Sequence, residues 1–158
     1  MAAPTPTVRQ SPTGRKLWDG YQVKVTFALD PDVSLWEKTI TPPGIDGGDA
    51  IDQTTQHNDD WRTSAPRGLV TLTESTFTAA YDPAAYSQLL ALVNKLTTVT
   101  ELFCDGSTIA YYGFLRTFQP DAMSEGTQPE ATVTITPTNF DHVNGVEAGP
   151  TITSIAGT

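Results

Sequence analysis

The sequence predicts a mainly β protein with one helix lying against its sheet. Two observations predict the strands. Apolar and polar residues alternate through several segments, and Asp105-Gly106, whose residues both tolerate positive φ, lies between two of them. A third observation predicts the helix, because only between Tyr81 and Leu96 do apolar residues recur convincingly with the period of an α-helix. A chain of 158 residues fits a single domain with one core.

Composition and charge exclude several classes of function. The net charge is −9, and clustered Lys and Arg residues, on which phosphate recognition depends, are absent, so direct binding to nucleic acid is disfavoured. A single cysteine, Cys104, excludes an internal disulfide and a multi-cysteine zinc site. The sequence contains no apolar signal region and no long apolar run, so we expect a soluble polypeptide that is not exported.

The first third of the chain predicts an arm and two strands. Residues 1–17 are rich in Pro and Thr and predict an N-terminal arm. Alternation from Tyr21 to Leu29 predicts the first strand, which the turn Asp30-Pro31-Asp32 ends. Val33–Ile40 predicts a second strand, which Pro42-Pro43 stops because proline cannot donate to a ladder. We expect these two strands to pair as a hairpin.

Residues 41–66 form a long acidic segment without sustained periodicity. An ordinary connection has about four to six residues, so a segment of this length is expected to have a function. The run Gly47-Gly48-Asp49 partly matches a calcium-binding repeat, but the third glycine and a second copy are missing. A solvated acidic loop is therefore favoured over a metal site. The acidic residues of the segment are Asp46, Asp49, Asp52, Asp59 and Asp60.

A strand and the helix follow this segment. Leu69–Ala80 predicts a long strand with a bulge or a change of face in its middle. Asp82 is a good N-cap and Pro83 suits the first helical position, so we predict a helix from Pro83 to Leu96. The apolar stripe expected to be buried against the sheet consists of Tyr86, Leu89, Leu90 and Val93.

The remainder of the chain predicts three more strands and a tail. Thr98–Cys104 and Ser107–Phe118 predict a β-hairpin around Asp105-Gly106. Ala131–Pro137 predicts a last strand, and residues 140–158 predict a Gly-rich C-terminal arm. The residues expected to point inward are Ile109, Tyr111 and Leu115 in the hairpin and Val133 and Ile135 in the last strand.

The sequence offers little that would support catalysis or cofactor binding. His57 and His142 are the only histidines, and no Ser or Cys lies in a recognised nucleophile motif. Phosphate-binding glycine loops are also absent. We therefore expect no catalytic, cofactor-binding or metal-binding residue. Trp18, Trp36 and Trp61 would form a sugar platform if they shared a face, although Trp36 in a strand is more often a core residue.

Several short motifs occur in an order that resembles the tail tube proteins (major tail proteins) of long-tailed siphophages. The resemblance spans roughly residues 35–139. The motifs are Gly47-Gly48-Asp49, Gln56-His57-Asn58 with Trp61 and Pro66, Phe77 with Tyr81-Asp82-Pro83, Asp105-Gly106-Ser107 with Gly113, Gln128-Pro129, Val133-Thr134-Ile135, and Pro137-Thr138-Asn139. Cys104 departs from the proline or other small residue expected before the turn.

The resemblance implies a β-sandwich or half-barrel flanked by one helix. Six copies would form a ring whose inner strands close a continuous β-barrel, and stacked rings would form the tube through which phage DNA passes. It implies one domain, residues 1–158, with a loop at residues 41–66 and arms at residues 1–17 and 140–158 that reach neighbouring subunits. The loop residues expected at the subunit boundary are Ile45, Asp46, Asp49, Ile51, His57, Asn58, Trp61 and Arg62.

The resemblance also implies partners and a location. The chain would bind other copies of itself, a tape measure protein, and tail terminator or distal tail proteins. It would be made in the cytoplasm of a bacterial host and belong to the virion tail, with no membrane contact, and DNA would pass its lumen without specific binding. The surplus of carboxylates predicts an acidic lumen. The alternative is a carbohydrate-binding β-sandwich module of a surface or fibre protein.

Overall fold

The computed structural model describes residues 23–33, 35–104 and 106–154. Within them a seven-stranded antiparallel sheet dominates. Its strands are β1 (Lys24–Phe27), β2 (Glu37–Thr41), β7 (Ser75–Ala80), β8 (Thr97–Leu102), β9 (Thr108–Pro120), β10 (Glu130–Pro137) and β13 (Thr151–Thr153). The strand order is β1-β8-β9-β10-β7-β2, and β13 pairs with β9. The predicted mainly β fold with one short helix is confirmed.

The sheet curls over on itself at β9, and its two halves face each other. In a flat sheet β7 and β8 would lie about 14 Å apart, since three strand spacings separate them. The Oγ atom of Ser75 in β7 nevertheless donates to Oε1 of Glu101 in β8 over 2.6 Å. At the two ends of the strand order, the backbone N–H of Val25 in β1 donates to Oε1 of Glu37 in β2 over 3.0 Å. The result is a half-barrel with the core inside.

Gly113 lies where β9 passes from one half of the sheet to the other. Residues Thr108–Gly113 pair with β8, whereas Gly113–Pro120 pair with β10. A Cβ atom at Gly113 would lie only 2.7 Å from the backbone oxygen of Thr136, so glycine allows the strands to approach closely here. The register between β9 and β10 also shifts at Thr134 and Ile135. We call the half made of β2, β7, β10 and Gly113–Pro120 the second half-sheet.

The buried faces of the strands match most of the alternation in the sequence. In β7, β8, β10 and the first part of β9 every second residue is buried, and the predicted inward residues are all in the core. The hairpin of β8 and β9 is confirmed, with Leu102 paired to Thr108. Asp105 of its turn lies outside the described residues. Leu69–Ala80 is not the one long strand that was predicted, because β6 (Thr71–Leu72) lies outside the main sheet and β7 begins at Ser75; the interruption falls where a bulge or change of face was predicted.

The predicted hairpin of the first two strands is wrong. β1 pairs with β8 and β2 pairs with β7, so the two strands lie at opposite ends of the strand order. The turn at Asp30 is present, with the N–H of Val33 bonded to the carbonyl of Asp30. After this turn the chain continues for several residues before β2 begins at Glu37. Trp36, which was expected in the core, is 68% exposed. The N-terminal arm 1–17 and Trp18 lie outside the described residues.

The helix α1 spans Pro83–Leu90 and is shorter than predicted. Its start is as expected, because Oδ1 of Asp82 accepts the N–H of Ala84 over 3.0 Å and Pro83 occupies the first turn. After Leu90 the chain turns, and the N–H of Asn94, a residue with a φ of 60°, donates to the carbonyl of Leu115 in β9. Pairing with β9 therefore ends the helix. The buried residues of α1 are Ala85 and Leu89, whereas Tyr86 and Leu90 of the predicted stripe are exposed.

Candidate self-assembly interface

Residues 42–73 fold as a two-part ribbon that we call the arm. Near the sheet, β3 (Ile45–Asp46) pairs with β6 (Thr71–Leu72), and further out β4 (Ile51–Asp52) pairs with β5 (Ser64–Ala65). The sequence reading of this segment as a loop without regular structure is therefore corrected. Strands of two residues are too short to produce a visible alternation. Most side chains of the arm are exposed, while Pro43 and Leu72 at its base are buried.

Side-chain hydrogen bonds to the backbone shape the outer part of the arm. Oδ1 of Asn58 accepts the N–H of Thr55, and Nδ2 of Asn58 donates to the carbonyl of Trp61, both over 2.8 Å. Oδ1 of Asp52 accepts the N–H of Thr54 over 2.9 Å, and hydrogen bonds from Thr54 lower the pKa of Asp52. The N–H of Gln53 bonds to the carbonyl of Thr63, which continues the ribbon. These bonds require Asx and Thr residues rather than apolar periodicity.

The structure divides the predicted loop residues between two parts of the arm. Ile45 and Asp46 lie at the base, where Asp46 accepts the N–H of Gly48. Asp49 contributes its carbonyl, which accepts from Nε of Arg67 over 2.7 Å. Ile51, His57, Asn58, Trp61 and Arg62 lie in the outer part. The guanidinium of Arg62 is 3.9 Å from the carboxylate of Asp52, and both side chains are exposed, so this pair adds little stability.

Large apolar side chains are exposed along the arm. Trp61 is 83% exposed and Ile45 is 72% exposed, and Leu69 and Val70 are exposed beside the base. A groove between the arm and the C-terminal segment is lined by Ile45, Val70, Leu72, Asn139, Gly149 and Pro150, among others. Leu69 and Val70 were predicted to lie in a long strand, so their place in this exposed apolar surface was not predicted. Exposed apolar surface of this extent is typical of a protein interaction site.

A second apolar groove lies between α1 and β9. The ring centroid of Phe118 lies 5.2 Å from that of Tyr86, with the rings edge to face, and 6.4 Å from that of Tyr81. Leu90 is 67% exposed at the same place, next to Arg116 and Thr117. Leu90 therefore contributes to a surface rather than to the core. The apolar character of these residues is evident in the sequence, but a helical apolar stripe does not distinguish a buried helix face from an exposed one.

Both lateral edges of the second half-sheet lack a strand partner among the described residues. At one side β2 is the last strand of the order, and at the other the Arg116–Pro120 segment of β9 extends beyond β8. Unpaired N–H and C=O groups at such edges are templates for strands of another chain. The groove at Leu90 lies directly beside the β9 edge. Two complementary edges on opposite sides permit head-to-tail association, which closes into a ring when the rotation between copies allows it.

An ionisable side chain, that of Glu101, is buried inside the half-barrel. Glu101 has no exposed surface, and its Oε1 accepts from Oγ of Ser75 and, over 2.9 Å, from Oη of Tyr111. Its Oε2 is buried without a hydrogen-bond partner. Burial raises the pKa of Glu101 because the carboxylate loses its hydration, and burial likewise raises the pKa of Tyr111. This cluster joins both halves of the sheet but does not face a cleft.

Two further observations concern ligands and membranes. Among residues 23–33, 35–104 and 106–154, no group of three or more His, Cys, Asp or Glu side chains is placed to hold a metal ion. In the same residues, no helix is long and apolar enough to cross a membrane. Trp36 lines a surface cleft with Tyr81 and Gln128, whereas Trp61 lies on the arm.

The fold resembles that of solved structures although the sequence does not match known families. No protein-family model matches the sequence, and no curated protein matches it. A chain of the six-fold symmetrised baseplate of the anti-feeding prophage (AFP) aligns over 85% of this chain and 92% of its own length, with a TM-score of 0.59 and 8% identity. A chain of the C6-symmetric tail of the empty GTA particle aligns over 76% of this chain and 84% of its own length, with a TM-score of 0.52 and 8% identity. The chain therefore has the fold of components of phage-like tail and baseplate assemblies.

Proposed function

We propose that this chain is a structural subunit of a phage tail tube, of the long-tailed siphophage type. Six copies associate side by side into a ring, and the rings stack into a tube through which phage DNA passes. The observation that supports this proposal most directly is the pair of open edges, β2 and Arg116–Pro120, on opposite sides of the second half-sheet. The six-fold symmetry of the AFP and GTA assemblies supports the number of copies.

The strand count suits a channel of useful width. Six copies of the four-stranded half would close a barrel of twenty-four strands. With neighbouring strands about 4.8 Å apart, its circumference would be about 115 Å and its diameter about 37 Å, before strand tilt widens it. Such a barrel is wide enough for double-stranded nucleic acid. Pairing each β9 edge with the β2 edge of the next copy would satisfy the backbone groups of both.

The remaining features of the proposal concern contacts outside the barrel. The arm, which contains the predicted loop 41–66, and the N-terminal residues 1–17 would contact neighbouring subunits or rings. Of the predicted C-terminal arm 140–158, β13 (Thr151–Thr153) pairs with β9 of its own subunit, so only the residues beyond β13 would reach a neighbour. At its ends the tube would meet a tape measure protein within and tail terminator or distal tail proteins beyond. These partners follow from the resemblance to tail tube proteins. The role is structural, in the virion tail, and requires no cofactor.

Electron microscopy of the purified protein tests the proposal. Wild-type protein is expected to form rings or tubes of six-fold symmetry. Leu90→Asp is expected to prevent ring formation, because it places a charge in the exposed apolar groove beside the β9 edge. Gln88→Asp adds the same charge to a neighbouring exposed position of α1 that does not line this groove and serves as the matched control. Rings from Leu90→Asp at the wild-type concentration would contradict the proposed edge contact.

The arm gives an independent prediction about assembly. Trp61→Ala is expected to leave the subunit folded, since its side chain is 83% exposed, but to prevent the formation of tubes. The arm amides of residues 50–66 should exchange rapidly in the isolated subunit, because the hydrogen bonds of this ribbon are exposed to solvent, and slowly in tubes, where a neighbour would cover them. Exchange protection in the subunit itself would identify the arm as an internal lid.

These measurements also separate the proposal from its alternative. A wild-type protein that stays monomeric and is retained by immobilised glycans would support a carbohydrate-binding module instead. Trp36, exposed in its cleft, is the residue at which such binding would be lost. Formation of tubes without glycan retention supports the tail tube.

A further inference from the structure

The outer surface of the second half-sheet carries two rows of side chains that are almost all threonines. The register places Thr41, Thr76 and Thr134 side by side, and Thr39, Thr78 and Thr132 in the next row. On the β9 side, Thr117 and Gln119 complete the two rows. All eight side chains are exposed or half-buried, and they point away from the core because their neighbours along each strand point into it. We call this surface the threonine face.

Nearly all charges around the threonine face are paired. At one end Arg116 forms an ion pair with Glu74, whose Oε1 also accepts from Oγ1 of Thr136 over 3.1 Å. At the other end Lys38 forms an ion pair with Glu130. Asp121, whose Oδ1 accepts from Oγ1 of Thr132 over 3.2 Å, is the one further carboxylate in contact with the face among the described residues. A chain with a net charge of −9 thus presents a surface that is close to neutral.

The acidic residues that make the chain negative lie elsewhere. Five of them belong to the arm, where all are exposed. The outer surface of the other half-sheet is also different, because the hairpin of β11 (Phe140–Asp141) and β12 (Val146–Glu147) lies against part of it. There the ring centroids of His142 and Tyr112 lie 5.7 Å apart in an edge-to-face arrangement, and the carbonyl of Tyr112 accepts the N–H of Thr138. No described segment covers the threonine face in this way.

We propose that the threonine face lines the channel of the ring and that the passing DNA meets uncharged hydroxyl groups. This inference rests on the proposed function. The face lies between the two open edges, so copies joined edge to edge continue it around the whole channel. Lysine or arginine at these positions would bind phosphates by releasing counterions, and a dense ring of carboxylates would repel them. Threonine does neither, and this replaces the expectation of an acidic lumen.

The location of the face is tested by labelling one of its residues. Thr78→Cys in a Cys104→Ser background is assembled into tubes and reacted with a maleimide gold cluster. Cross-sections in the electron microscope are expected to show gold at the inner wall. Gold at the outer surface or between rings would overturn the inference. If the unlabelled wild-type protein forms no rings at all, the proposed function fails instead, so the two failures are distinguishable.

The neutrality of the face is tested with a short DNA duplex and assembled tubes. Wild-type tubes are expected not to retain the duplex even at 50 mM salt. Thr78→Lys would place six lysines around one axis, and for about six phosphate contacts retention should fall roughly 10³-fold between 50 and 200 mM salt. Gln88→Lys adds the same charge on α1, outside the channel, where the lysines cannot converge on one duplex, and should not retain it. Salt-dependent retention by wild-type tubes, or equal retention by both lysine variants, would overturn the proposal.

Discussion

Leu89→Ala is expected to lower the free energy of unfolding of the subunit by about 2 to 5 kcal/mol. Leu89 has no exposed surface and belongs to the main core cluster together with Leu92 and Leu115. Its truncation removes buried apolar surface and leaves a cavity beneath α1. The expected loss is a large part of the total stability of a domain of this size.

Leu90→Ala is the matched control for this prediction. The two leucines are adjacent in one helix and lose the same atoms, but Leu90 is 67% exposed, so its truncation should cost less than about 1 kcal/mol. Denaturant unfolding of the isolated subunit measures both. Equal losses for the two variants would mean that α1 lies on the sheet in a different orientation. The apolar stripe in the sequence instead predicts a large loss of stability for Leu90→Ala. A small loss would support the exposed position of Leu90 in the structure.

The stability of the subunit is expected to contain a term from Glu101 that decreases as the pH rises. The folded state raises the pKa of Glu101 by burial, while the unfolded chain ionises it near the ordinary value of about 4.3. Folding therefore retains a proton that the unfolded chain releases. The term is fully present below the ordinary pKa and is lost as the pH rises through the raised pKa, at about 1.4 kcal/mol for each unit between the two.

Glu101→Gln isolates this term. Glutamine stays neutral, and its carbonyl can still accept from Ser75 and Tyr111, so the variant should gain stability relative to wild type as the pH rises from about 4.5 to 8.5. The comparison must be made between variant and wild type at each pH. Asp141 contributes with the opposite sign, because hydrogen bonds from Asn144 lower its pKa. Parallel pH profiles for the two proteins would contradict a raised pKa at Glu101.

Much of the fold was predictable where one strand face is buried and the other is open. The alternation around Tyr111 and Val133 identified core positions correctly, and the N-cap at Asp82 located the start of α1. These signals are local, and each depends on residues that are neighbours along the chain. The pairing of β1 with β8 was not predictable in the same way, because the paired residues of the two strands lie more than seventy positions apart in the chain.

The candidate interface was less predictable for a different reason. Alternation separates the two sides of a strand, but it does not show whether a polar side faces solvent, another subunit or a channel. Apolar residues are also ambiguous. Leu90 and Trp36 have large apolar side chains, yet both are exposed in this fold. The residues of the arm had the opposite difficulty. Its order comes from side-chain to backbone bonds such as those of Asn58, which leave no periodic pattern.

The passage of β9 through both halves of the sheet has a mechanical consequence. β9 pairs with β8 at one end and with β10 at the other, and the bond between Ser75 and Glu101 joins the two halves a second time. If β9 is pulled out of either half, the other half loses a paired strand as well. The halves should therefore unfold in one step under force. In a stacked tube, each subunit would act as a single stiff element, and bending would be confined to the contacts between rings.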